Sequence, residues 1–180
     1  MRKTIESERL SIFDIYKIGV GPSSSHTLGP WKAGLEFANH LRKKDFDAIE
    51  IHLYGSLSKT GIGHATDIAV QLGLEGFQPE TIDTQNISKH ISRIKSTQAM
   101  QINGKKTQFN PSKNIVFHNY ALPNHPNTLI FKASHQNSIV LQKTYYSIGG
   151  GFIQEEGEIT SKIEPMLLDS WLSFSITSEA

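Results

Sequence analysis

The chain has 180 residues, 37% hydrophobic and 19% charged, an ordinary globular composition with room for one domain and a short tail. Its 18 basic and 17 acidic residues leave a formal net charge of +1, without the clustered Lys/Arg stripe that a nucleic-acid footprint needs. There is no cysteine, hence no disulfide framework, thiolate metal site or iron-sulfur cluster held by this chain alone. No apolar leader and no run of about 18 apolar residues occurs, so the expectation is a soluble cytoplasmic protein with no nucleic-acid and no membrane partner.

In chain order, Ser11 and Asp14 form a capping pair ahead of Ile12, Phe13 and Tyr16, which predicts a short helix ended by Gly19. In "GVGPSSSHTLGPWKAG", Trp31, Leu35, Ala38 and Leu41 recur at helical spacing and predict a helix to about Lys44. "DAIEIHLYG" alternates Ile49, Ile51 and Leu53 with Glu50, His52 and Tyr54, the pattern of a half-buried strand. Ala65, Ile68, Ala69 and Leu72 predict a second helix that Gly76 stops. Thr84, as cap, with Ile87, Ile91 and Ile94 predicts a third. Beyond it strands dominate: a turn at Asn103-Gly104, a strand in "NIVFHNYALP", and two alternating runs around a polar turn in "TLIFKASHQNSIVLQKTYY". These elements predict an α+β fold, a mixed and largely antiparallel sheet with helices packed on one face. The domain is expected over residues 1–153, with 154–180 as a tail or linker.

The serine-rich stretch is a candidate site. Proline fits a helix only in the first turn, so Pro30 predicts a start no earlier than about Thr27, with Thr27 or Gly29 as the cap. Ser23, Ser24, Ser25 and His26 then fall in the turn before a helix N-terminus, where amide groups and hydroxyls suit a carboxylate or phosphate and an imidazole can move protons. A serine-rich turn also serves as a plain cap and solvated loop. "YGSLSKTGIGHATD" repeats the design with Gly55, Ser56, His64, Thr66 and Asp67, and "YYSIGGGF" adds Ser147, Gly149 and Gly150; their plain readings are capping and a glycine-rich strand exit. The stretch lacks a P-loop ending, and the glycine run is no dinucleotide fingerprint. His118 and His125, seven residues apart, match no helical zinc pair and read as surface or structural. His40, His52, His90 and His135 are assigned nothing.

"SIFDIYKIGVGPSSSHTLGPWKAG", "YGSLSKTGIGHATDIA", "FHNYALPNHPN" and "KTYYSIGGGF" follow one another in an order that resembles the N-terminal, or β, domain of the iron-sulfur L-serine dehydratases, over about residues 10–153. The resemblance implies conversion of L-serine to pyruvate and ammonia, in amino-acid metabolism and gluconeogenesis. It implies a 4Fe-4S cluster in the complete enzyme, held by a cysteine-bearing α domain or subunit and not by this chain. Carried onto the matching positions, it implies that Ser23, Ser24, Ser25, Thr27, Gly55, Ser56, Thr66, Asp67, Ser147, Gly149 and Gly150 line the substrate site, with His26 or His64 as the base, no metal ligand, and a homodimer. It further implies a truncated relative of the single-chain type, inert on its own. The alternative is a non-catalytic module for a small anion or amino acid, or for dimerisation, because the β domain also resembles the allosteric substrate-binding domain of some phosphoglycerate dehydrogenases.

Overall fold

The computed structural model describes residues 23–61 and 63–157. The helix expected near Ser11–Tyr16 and the chain beyond Gly157 lie outside them. Helix α1 (Gly29–His40) follows a π-helical turn (Ser24–Leu28) and leads to strand β1 (Ala48–Leu53). Next come the short α2 (Ser56–Lys59), α3 (Thr66–Leu74), a single 3-10 turn (Thr84–Asn86) and α4 (Ile87–Thr97). The second half holds β2 (Ala99–Ile102), β3 (Lys105–Gln108), α5 (Pro111–Asn114), β4 (Ile115–Phe117), β5 (Thr128–His135), β6 (Ser138–Gly149) and β7 (Phe152–Glu155).

The sheet runs β2-β3-β1-β5-β6-β7, and β4 also pairs with β1. Among the described residues, only the β1–β3 and β1–β4 pairings are parallel; β1–β5, β2–β3, β5–β6 and β6–β7 are antiparallel. This is the expected α+β architecture with a mixed, largely antiparallel sheet. The period-2 alternation in β1 does what it predicts: Ile49, Ile51 and Leu53 are fully buried, while Glu50 is exposed and His52 half-buried. They meet Leu129, Phe131, Ala133 and Tyr145 on the same face, under Phe37, Leu41, Val70, Leu74 and Ile94 from the helices. Phe37 stacks on Phe131 with ring centroids 5.1 Å apart.

Helix α1 carries Gly29, Pro30 and Gly34, and a helical glycine costs about 1 kcal/mol against alanine. Burial decides in its favour, because each fully buried large apolar side chain contributes on the order of 1.5–3 kcal/mol and Trp31 and Phe37 both qualify. Its other side packs on α3 so closely that a Cβ on Gly73 would stand 2.2 Å from the Trp31 carbonyl oxygen. Thr84 is not the cap of α4: that cap is Asn86, without a side-chain bond, and the 3-10 turn ahead of it is capped by Asp83, which accepts from the Gln85 N–H at 3.0 Å. Tyr54, expected on the polar face, is buried because His118 lies flat on its ring at 4.2 Å. Among the described residues, no helix is long and apolar enough to cross a membrane.

Candidate functional site

The serine stretch lies inside the helical geometry rather than before it. Ser23 is the cap, its Oγ accepting from the His26 N–H at 3.3 Å, and neither Thr27 nor Gly29 takes that role. The proline rule is obeyed by other means. Gly29 N–H bonds the Ser24 carbonyl, an i→i+5 step, and Pro30 has no N–H to offer the His26 carbonyl four residues back. The Ser25 and His26 carbonyls therefore need donors from elsewhere. Ser147 Oγ donates to the Ser25 carbonyl at 2.7 Å, and Thr66 Oγ1 donates to the His26 carbonyl at 2.6 Å. Both hydroxyl residues are buried. A bulge between Ser147 and Gly149 in the β6–β7 pairing marks the place from which Ser147 reaches the turn.

The turn holds His26 between hydroxyls. Its Nδ1 lies 2.9 Å from Ser25 Oγ and 3.4 Å from Ser23 Oγ, and its Nε2 lies 2.8 Å from Ser56 Oγ. The His64 ring stands 5.1 Å away. Burial first, then the neighbouring His64, holds the His26 imidazole below its ordinary value of 6.5, against a smaller opposing pull from a backbone hydrogen bond at Ser56. That shift favours the neutral imidazole. His64 Nδ1 lies 2.9 Å from the Thr60 carbonyl oxygen, which can only accept, so Nδ1 carries a proton and donates it to that oxygen. Thr27 Oγ1 donates to the His64 carbonyl at 3.0 Å and locks the two loops together.

A third segment supports this pair. Gly55, with φ 59° and ψ −124°, starts α2, and a Cβ there would fall 2.1 Å from the Pro126 carbonyl oxygen. Gly55 N–H donates to the Tyr120 carbonyl at 2.9 Å, and Ser56 N–H donates to the Pro126 carbonyl at 3.0 Å. The loop from His118 to Asn127 thus sets the position of Ser56. That loop is anchored by His118, whose N–H donates to the Leu53 carbonyl and whose Nε2 lies 3.0 Å from His52 Nδ1. His125 Nδ1 accepts the Asn127 N–H at 3.0 Å.

Of the predicted positions, Ser23, Ser25, His26, Thr27, Ser56, His64, Thr66 and Ser147 form one hydrogen-bonded or ring-contact group, held by Gly55. Ser24 is exposed. Gly149 and Gly150, both with positive φ, form the tip between β6 and β7. Asp67 occupies the first turn of α3, where burial pushes its carboxyl up while backbone N–H groups of Ile68 and Asp67 itself oppose the shift. The sequence reading passed over Asn127. Its Nδ2 donates to the Ser147 carbonyl at 3.4 Å and its backbone carbonyl accepts the Ser147 N–H at 2.9 Å. The signal available was its place in "FHNYALPNHPN".

The family model described as Serine dehydratase beta chain matches residues 11–158. The chain is 47% identical over 154 residues to the L-serine dehydratase of Haemophilus influenzae, a match covering 82% of this chain and 34% of that protein. It is 42% identical to L-serine dehydratase 1 of Escherichia coli (82% and 34% covered) and 42% identical to the L-serine dehydratase of Mycobacterium tuberculosis (82% and 33%). The chain spans about a third of the length of these relatives. With the matched segment enclosing all four loops that meet around His26, the chain belongs to the serine dehydratase beta-chain family.

Proposed function

We propose that this chain forms the substrate-facing part of an L-serine dehydratase, which eliminates water from L-serine to give aminoacrylate, whose hydrolysis yields pyruvate and ammonia. The observation that carries the reading is the convergence of two helix-starting loops on one imidazole pair, with His26 bridging Ser25 and Ser56 and the His64 ring beside it. The names of the relatives favour this over a purely regulatory binding module.

A 4Fe-4S cluster does not fit this chain. It has no cysteine, and among the described residues no three His, Asp or Glu side chains are grouped to hold a metal. The cluster belongs to an α domain or subunit that completes the enzyme. The chain's own residues bind, orient and move a proton. The Ser24 and Ser25 amides at the open end of the π turn, with the serine hydroxyls, meet the substrate carboxylate. His64 Nε2, with Nδ1 tied to the Thr60 carbonyl, takes the α-proton. His26 holds Ser25 and Ser56 in place. Thr66 and Ser147 act as positioning residues through the turn's carbonyls. A homodimer and a cytoplasmic location complete the proposal.

The test is to combine the chain with a cysteine-bearing α domain, reconstitute iron and sulfide anaerobically, and assay pyruvate. His64→Ala is expected to lower kcat about 10²–10⁴-fold, the usual worth of a positioned base. Activity indifferent to His26→Ala and His64→Ala overturns the assignment.

A further inference from the structure

The side-chain oxygen of Asn127 is buried and, among the described residues, accepts no hydrogen bond. Its orientation is not arbitrary. Nδ2–H points at the Ser147 carbonyl, and turning the amide over would set one oxygen against another. The fold places this amide with care. Asn127 follows Pro126, whose carbonyl holds the Ser56 N–H, and pairs through its own backbone with Ser147. Ser56 and Ser147 are two of the three residues, with Thr66, whose hydroxyls reach the Ser25–His26 turn from outside it, Ser56 on the imidazole and Ser147 on the backbone. An unsatisfied acceptor in that interval is costly for folding alone, so it calls for a donor that arrives with the ligand.

We propose that Asn127 Oδ1 receives the ammonium group of the amino-acid substrate, which makes Asn127 the residue that selects an α-amino acid over its deaminated counterpart; this rests on the site reading proposed above. A substrate carboxylate has no hydrogen to give, and a hydroxyl has one. An ammonium brings three donors and a charge, and hydrogen bonds to charged donors are the stronger class. The carboxylate is then left to the amides and hydroxyls of the π turn, so the two ends of the substrate are recognised by different loops.

The experiment titrates the isotope-labelled full chain by NMR with L-serine, with L-alanine, which lacks the hydroxyl, and with 3-hydroxypropanoate, which lacks the ammonium. In the unaltered chain, the Asn127 side-chain amide resonances are expected to shift with L-serine and L-alanine and to stay still with 3-hydroxypropanoate. Asn127→Ala should weaken both amino acids about tenfold or more and leave 3-hydroxypropanoate unchanged; Asn127→Asp, which keeps an acceptor, should retain the preference. Equal weakening of all three ligands assigns Asn127 a structural role and overturns the proposal. So does weakening confined to the hydroxyl-bearing ligands, or an Asn127 resonance that ignores L-serine while His26 and Ser56 respond. If His26 and Ser56 also ignore every ligand, the site reading falls and this inference with it.

Discussion

Gly29 and Ser147 provide a quantitative check on how the His26 turn is held. Gly29 has φ −58° and ψ −56°, ordinary helical values, so alanine there is expected from propensity to stabilise by about 0.8–1.0 kcal/mol. Space says the opposite: an added Cβ falls 2.1 Å from Ser147 Oγ and 3.0 Å from its Cβ. The hydroxyl cannot swing away without abandoning the Ser25 carbonyl. Overpacking of this kind costs about 1–3 kcal/mol or more, so Gly29→Ala is expected to destabilise on balance. Ser147→Ala alone leaves the buried Ser25 carbonyl without its donor, a loss of about 1–3 kcal/mol. In the double variant the atom in collision is gone and the helical gain returns, so it should be about 1–3 kcal/mol more stable than the two single losses added together. Urea unfolding of the full chain, followed by far-ultraviolet circular dichroism, gives all four corners of this cycle. Additivity within about 0.5 kcal/mol refutes the claim that the two residues meet through that hydroxyl.

Acid sensitivity follows from the histidines. His26 and His52 both titrate below 6.5 in the fold, chiefly through burial; His64 adds to this for His26, and Lys132 and His118 for His52, with Glu50 pulling His52 the other way. The unfolded chain then binds more protons than the folded one between 6.5 and the lowered folded values. Their contribution is present above pH 6.5 and is lost as pH falls through that window. Urea unfolding at pH 7.5, 6.5 and 5.5 should show declining stability and a shallower decline in His52→Gln; stability that holds or rises at pH 5.5 contradicts the sign. Gly55→Ala should cost upward of about 2 kcal/mol, because it combines a positive φ with a Cβ 2.1 Å from the Pro126 carbonyl oxygen. The amide of Ser56 should lose hydrogen-exchange protection in that variant, and unchanged protection counts against the loop as the support for Ser56.

Much of the sheet was legible because its signals are local. Ile49, Ile51 and Leu53 declare a one-sided strand by period alone, and the Asn103-Gly104 turn carries two positive φ values between β2 and β3, as that dipeptide predicts. The cap of α4 was misplaced because Asp83, Thr84 and Asn86 are all good cap formers and spacing does not choose between them: Asp83 caps the 3-10 turn and Asn86 the helix. The π turn was not legible. Its i→i+5 offset is sustained by hydroxyls 40 and 122 residues further along, Thr66 for the His26 carbonyl and Ser147 for that of Ser25. Tyr54 fails for a similar reason, since its cover comes from His118, on the far side of four intervening helices and three strands. The composition of the candidate site was readable, and the division of labour within it was not: Thr66 and Ser147 look alike in sequence to Ser25 and Ser56, yet their hydroxyls serve backbone rather than imidazole.

The two borrowed hydroxyls tie chemistry to chain assembly. A segment as short as Ser23–Leu28 has no means of its own to quiet the Ser25 and His26 oxygens, and the partners come from α3 and from the end of β6, far along the chain. A nascent or half-collapsed chain therefore possesses the histidine but not its posture. That posture arrives late, once α3 and β6 have closed on the turn.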